Sequence, residues 1–264
     1  MRKHHFLWLL GLAAVIEILA CAQLPTEIAT ATSSGSLVAT PAPAPAPPDT
    51  SGYELAPPRD PNGIGKYYMG RQIAHVMGHE GADWLERRDR SKEEDTNLLL
   101  KELNLRSTDV VADIGAGTGY FSFRIARLVP KGQVLAVDIQ PEMIAELNAN
   151  KTQTHLANVR PVLGQIDNPH LPAGAVDLVL IVDAYHEFDH PREMGRAIAR
   201  ALRPGVGRLA LVEYRAEDDN VPIKRIHKMS VAQARKEMAA VGLEFVETVE
   251  TLPQQHLLLF RRPK

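Results

Sequence analysis

The sequence predicts an α/β protein built on a mostly parallel sheet with helices on both faces, and three observations carry that prediction. A glycine-rich loop, Asp113-Ile114-Gly115-Ala116-Gly117-Thr118-Gly119, joins an apolar run at Val110 and Val111 to a helical pattern over Tyr120–Val129. Short apolar runs then alternate with helical segments through most of the remaining chain. About 200 residues lie beyond Gly63, enough for one large α/β domain with a small extension.

Glycines at alternate positions let the loop turn sharply and let a ligand approach the backbone. A dinucleotide site wants G-x-G-x-x-G, but Tyr120 stands where the third glycine would be, and Gly119 completes an acidic-x-G-x-G-x-G pattern instead. Gln133–Asp138 reads as a second buried strand ending in an acid about 20 residues beyond the loop, where a carboxylate can accept both hydroxyls of a ribose. The local alternative is that Asp138 caps the helix opening at Pro141. Val159–Leu163 reads as a third strand, followed by the loop residues Gly164 to Asp167, and Val176–Asp183 as a fourth.

Asp113 and the glycine pattern resemble motif I of the class I S-adenosylmethionine-dependent methyltransferases, and the resemblance runs from about Leu98 to Arg262. It implies a Rossmann-like, seven-stranded, mostly parallel sheet with helices on both faces, a small N-terminal helical cap, and S-adenosyl-L-methionine as cofactor. It further implies that Asp113, Gly115, Ala116, Gly117 and Gly119 wrap the methionine and ribose part. Asp138 would hold the ribose, Ile139 pack on adenine, Asp167 lie near the adenine amino group, and Asp183 border the cofactor. The strand pair Phe245–Thr251 and His256–Phe260 matches the end of such a sheet, with the last strand antiparallel.

Carboxyl ends of parallel strands face the ligand crevice, which places Asp183, Tyr185 and His186 for chemistry. His186 and Tyr185 are the candidate catalytic residues, His186 as a base toward an oxygen or nitrogen acceptor. His186-Glu187-Phe188-Asp189-His190 satisfies H-E-x-x-H literally, yet it follows a strand and precedes Pro191, so a strand-to-helix loop is expected rather than a zinc-binding helix. His75 and His79 have the spacing of one helical turn but lack a third ligand. No metal is expected.

Four regions follow: residues 1–22 as a signal peptide or membrane anchor, 23–62 as a Pro/Ala/Ser/Thr-rich disordered linker, 63–105 as the cap, and 106–264 as the catalytic-type domain. Arg2 and Lys3 precede an apolar run from Phe6 to Ala20, and Cys21, the single cysteine, stands in a lipobox-like setting. Membrane association through this segment is expected, by lipidation, an uncleaved anchor, or export after cleavage. In the cap, Ser91 and Glu94 suggest a capping box for a helix with Leu98, Leu99, Leu100 and Leu103 on its apolar face, and Tyr67, Tyr68, His75 and His79 are candidate acceptor contacts.

A formal charge of −2 and the lack of basic runs interleaved with aromatics give no sign of nucleic-acid binding. The expected activity is methyl transfer to a small molecule. Protein methylation, a cofactor-binding module without turnover and a nicotinamide oxidoreductase are the alternatives.

Overall fold

A computed structural model describes residues 52–264, which belong to one compact unit beginning at Pro48. The expected signal or anchor, Cys21 and most of the Pro-rich linker lie outside the described residues.

The described chain opens with an antiparallel sheet of β1 (Tyr53–Leu55), β2 (Gly63–Tyr68) and β3 (Arg71–Ala74). Met69 and Gly70 form the β2–β3 turn with φ of 50° and 95°, the positive pair that a two-residue hairpin of matching twist requires. The Tyr53 hydroxyl donates to Glu193 at 2.6 Å and accepts from the Arg192 N–H at 3.1 Å, which fastens β1 to the main domain. The expected linker therefore ends several residues early, and the cap is not purely helical. Its helices are short: α1 (Ala82–Leu85), α2 (Arg90–Glu94) and α3 (Thr96–Glu102).

The capping box does not form. Ser91 lies inside α2, and the chain breaks at Asp95, whose φ of 47° is left-handed and whose side chain accepts from Leu98 N to cap α3. Glu94 is drawn away by charge: it is buried and bonded to Arg87, Arg90 and the Tyr214 hydroxyl. An ion pair inside the fold outcompetes a local backbone bond worth about 1 kcal/mol.

The main sheet contains β4 (Val110–Ile114), β5 (Gln133–Asp138), β6 (Val159–Leu163), β7 (Leu178–Val182), β8 (Arg208–Arg215), β10 (Glu244–Val249) and β11 (Gln255–Arg261), with a short β9 (Lys228–Met229) paired to β8. Its order is β10-β11-β8-β7-β4-β5-β6, parallel from β8 to β6, with β11 antiparallel to both neighbours. The chain runs outward from β4 through β5 to β6, then returns to β7 on the other side of β4. That reversal opens a crevice at the strands' carboxyl ends.

Alternate residues of the strands feed two cores. Val111, Val134, Leu178, Leu180 and Val212 pack with α3, α4 (Ser122–Leu128) and α5 (Pro141–Thr154). Ala112, Leu135, Val179, Ile181 and Leu211 pack with α6 (Pro191–Ala201) and α7 (Val231–Ala240). Burial on both faces is why these strands read as unbroken apolar runs, and truncating one such leucine to alanine costs about 2–5 kcal/mol.

Candidate active site

A cavity of about 630 Å³ occupies the crevice, lined by the β4, β5, β7 and β8 ends, the cap, and the loop before β9. Its first end is built from the glycine loop. Gly115 has φ of 76°, and a Cβ there would lie 2.8 Å from that of Ala184; Gly117 has φ of 54°, and its Cβ would collide with Leu85 of α1. Larger side chains at either position would fill the cradle.

The loop's N–H groups are spent internally. Those of Gly115 and Ala116 bond Val137 O, that of Gly119 bonds Ala116 O, and that of Gly117 bonds the Asp138 carboxylate at 2.9 Å. Little remains to receive a pyrophosphate, so the loop serves as a shaped wall rather than an anion nest. Asp138 also accepts from Gln140 N at 3.0 Å, and it lines the cavity beside Ile139. Asp138 thus organises the chain entering α5 while standing at the cavity wall.

Asp183 lines the same end from just beyond β7, at φ of 49°; one oxygen accepts from Gln255 at 2.6 Å, and the other is buried without a partner among the described residues. Burial, with Glu94 and Glu213 nearby, pushes its carboxyl well above the usual range. Burial likewise raises Asp138. Glu94, already matched by Arg87 and Arg90, lines this end with Asp183, whose unpartnered oxygen is the polar group left for a ligand.

The other sequence candidates are placed differently. Asp113 does not line the cavity; it accepts from Ser122 Oγ at 2.6 Å, and burial pushes its carboxyl up to about 6. Ala116 and Gly119 also stand behind the wall, where a Cβ on Gly119 would strike Phe123 and Leu147. Asp167 is exposed and outside the lining, where Gly164, Gln165 and Ile166 of the same loop are found. Tyr67, Tyr68, His75 and His79 do not line it either. The cap contributes Val76, Met77, Trp84, Leu85, Arg90 and Glu94 instead.

The second end follows β7. Tyr185–Glu187 form a single turn of 3-10 helix, in which neighbouring side chains diverge by about 120°. Tyr185 therefore turns into the core and donates to Glu237 at 2.8 Å, away from the cavity, while His186 and Glu187 line it. His186 is 3 % exposed; its Nδ1 lies 2.7 Å from Glu213 Oε2, and its Nε2 lies 3.1 Å from His227 Nδ1. Burial opposes a charged imidazole, but Glu213 outweighs it and raises His186. Burial and the adjacent His186 depress His227 to about 4. His190, the second histidine of the literal H-E-x-x-H, has its Nδ1 3.1 Å from Asp189 Oδ2 without hydrogen-bond geometry and packs edge-on to Tyr53, outside the lining. His227 and Glu213 escaped the sequence reading, since neither belongs to a motif.

The strand order and the glycine loop ending against a strand-end acid define the class I methyltransferase fold, and the cradle with Asp138 and Asp183 at its edge fits S-adenosylmethionine. More particularly, residues 111–205 match the family described as a methyltransferase domain. It is 34 % identical over 135 residues to an uncharacterized methyltransferase-like protein of Schizosaccharomyces pombe, covering 51 % of this chain and 49 % of that one. It is 34 % identical over 106 residues to the arsenite methyltransferase of Halobacterium salinarum, covering 39 % and 26 %. The chain spans half or less of the length of these curated relatives. A S-adenosylmethionine-dependent methyltransferase from Aquifex aeolicus superposes with a TM-score of 0.66 over 70 % of this chain and 98 % of the other, at 22 % identity, a likeness of fold.

Proposed function

We propose that the protein transfers a methyl group from S-adenosylmethionine to a small-molecule acceptor held between the cap and the His186 corner. The observation that carries this reading is the division of one cavity into two chemically distinct ends. One has the Gly115–Gly117 wall and the Asp138 and Asp183 carboxylates; the other has His186, Glu187 and His227. When bound, the cofactor supplies an already activated methyl group, so the protein's task is alignment and exclusion of water.

Asp138 and Ile139 position the ribose and adenine side, and Asp183 offers its unpartnered oxygen to the cofactor. Val76, Met77 and Trp84 cover the cavity from the cap. His186 has its Nδ1–H directed to Glu213 and its Nε2 against His227 Nδ1, so the two imidazoles together take or share the acceptor's proton at the cavity wall. The cap cover supports a small acceptor over a protein side chain.

Calorimetry with S-adenosylhomocysteine and NAD tests the cofactor, and turnover with a small-molecule extract against a protein extract tests the acceptor. His186→Ala should reduce methyl transfer about 10²–10⁴-fold and leave S-adenosylhomocysteine affinity nearly unchanged. Preferential binding of NAD, or methylation confined to protein, overturns the reading. Arg2, Lys3 and the Phe6–Ala20 run support membrane association through the N-terminal segment, which fractionation of cells would test. Among the described residues no helix is long and apolar enough to cross a membrane.

A further inference from the structure

We propose that His186, Glu187 and His227 form a binding site for one divalent first-row transition metal ion, zinc foremost, open to the cavity. The three offer ligand atoms that all lie within 4.8 Å of one another. His186 Nε2 is 3.1 Å from His227 Nδ1 and 3.8 Å from Glu187 Oε1. Two metal–ligand bonds of about 2.1 Å meeting at 95–130° span about 3.1–3.8 Å, so these separations already suit a shared ion.

The surroundings are those of a prepared site rather than a chance cluster. Glu213, fully buried, accepts from His186 Nδ1 at 2.7 Å and from its backbone N–H at 3.3 Å. That fixes the ring and directs its Nε2 lone pair at the proposed ion, the carboxylate–histidine support found behind metal-bound imidazoles. Glu187 Oε2 accepts from Met77 N at 3.2 Å, which holds the carboxylate and leaves Oε1 toward the histidines. Two imidazoles and one carboxylate suit zinc and its neighbours, whereas magnesium and calcium prefer all-oxygen shells.

Three protein ligands on a cavity wall leave coordination positions for a ligand from the cavity. An acceptor hydroxyl bound there would give up its proton to solvent and leave its oxygen as an anion beside the methyl donor, so the ion would take over the work assigned above to the imidazole pair. This last role rests on the proposed function; the ion site does not. The site also departs from the expectation of no metal, because its third ligand arrives from a loop before β9 and not from His190.

The test uses the full-length chain, stripped with chelator and titrated with Zn²⁺ by calorimetry and with Co²⁺ by visible absorption. One equivalent should bind, and the Co²⁺ bands should be displaced by Zn²⁺. His227→Ala and Glu187→Gln should each weaken Zn²⁺ binding more than about 100-fold, and the positioning variant Glu213→Gln about 10–100-fold. His190→Ala should bind as the wild type does. Circular dichroism and thermal melting establish that each variant is folded, and His227, being half-buried and at the end of the single 3-10 turn Arg225–His227, is the substitution on which the outcome turns. Absence of saturable binding at one equivalent, indifference to His227→Ala, or loss on His190→Ala overturns the proposal. Failure of the wild type to bind S-adenosylhomocysteine would sink the methyltransferase reading and leave the ion titration standing.

Discussion

The two ends of the cavity are made in opposite ways. The cofactor end comes chiefly from one continuous stretch, Gly115 to Gln140, joined by Asp183 from beyond β7, and relies on backbone conformation and main-chain bonds to the Asp138 carboxylate. The acceptor end gathers side chains from distant segments: His186 meets Glu213 across 27 positions and His227 across 41. A wall of glycine backbone admits no side chain at Gly115 or Gly117, while a cluster of side chains can be rebuilt without disturbing the wall. This division suits a fold that keeps its donor and changes its acceptor.

Asp138→Ala should break the cofactor end most sharply. On the proposed ribose role it removes a charged partner of two hydroxyls, so S-adenosylhomocysteine affinity should fall by about 1.5–3 kcal/mol in calorimetry. Because the carboxylate also holds Gly117 N–H and Gln140 N–H, thermal stability should drop too, while Co²⁺ binding at the acceptor end stays. Unchanged cofactor affinity would sever Asp138 from the site.

Asp113 sharpens the comparison from behind the wall. Its carboxyl is raised by burial to about 6, above its unfolded value of 3.8, so the folded state binds the proton more tightly. Its contribution is therefore fully present below pH about 4 and lost as pH rises through about 6. Asp113→Asn should remove that slope, narrowing the stability difference between pH 4 and 7 by about 2–3 kcal/mol at most in chemical denaturation. A slope that survives the substitution belongs to other acids.

At the acceptor end, truncation separates linker from fold. Starting the chain at Gly52 should leave the domain's melting unchanged, whereas starting at Arg59 removes β1 and the Tyr53 hydrogen bonds to Glu193 and Arg192. The shorter form should lose about 1–2 kcal/mol, read by thermal melting. Equal stability of the two forms would return β1 to the linker. The smallest effect is expected at His75 and His79: alanine there should change stability by no more than about 0.5 kcal/mol and leave cofactor affinity alone. A large loss of turnover would restore them as acceptor contacts.

The contrast between the ends also explains what the sequence made legible. The glycine spacing, Asp138 and the alternation of strand and helix are local patterns, and the sheet order follows once those elements are placed. Ser91 and Glu94 looked like a cap because the sequence shows spacing but not the Arg87 and Arg90 groups that claim Glu94. Tyr185 and His186 are adjacent in the chain, yet the 3-10 turn sends one inward and the other to the cavity. The hairpin of β2 and β3 offered only Tyr67 to Arg71 as a signal, and its pairing is interrupted by a register shift between Gly63 and Tyr67. His227 had no motif to announce it, since its role exists only where a loop crosses the β7 end.

Several contacts latch the cap to the cofactor wall. Thr118 Oγ1 donates to Glu86 at 2.6 Å, Gln140 Nε2 donates to Met77 O at 3.1 Å, and Leu85 occupies the space beside Gly117 where a side chain would begin. Were release of a cofactor held beneath them to require breaking these bonds, unlatching would set the pace of repeated turnover, and a first round of product would appear as a burst ahead of the steady rate.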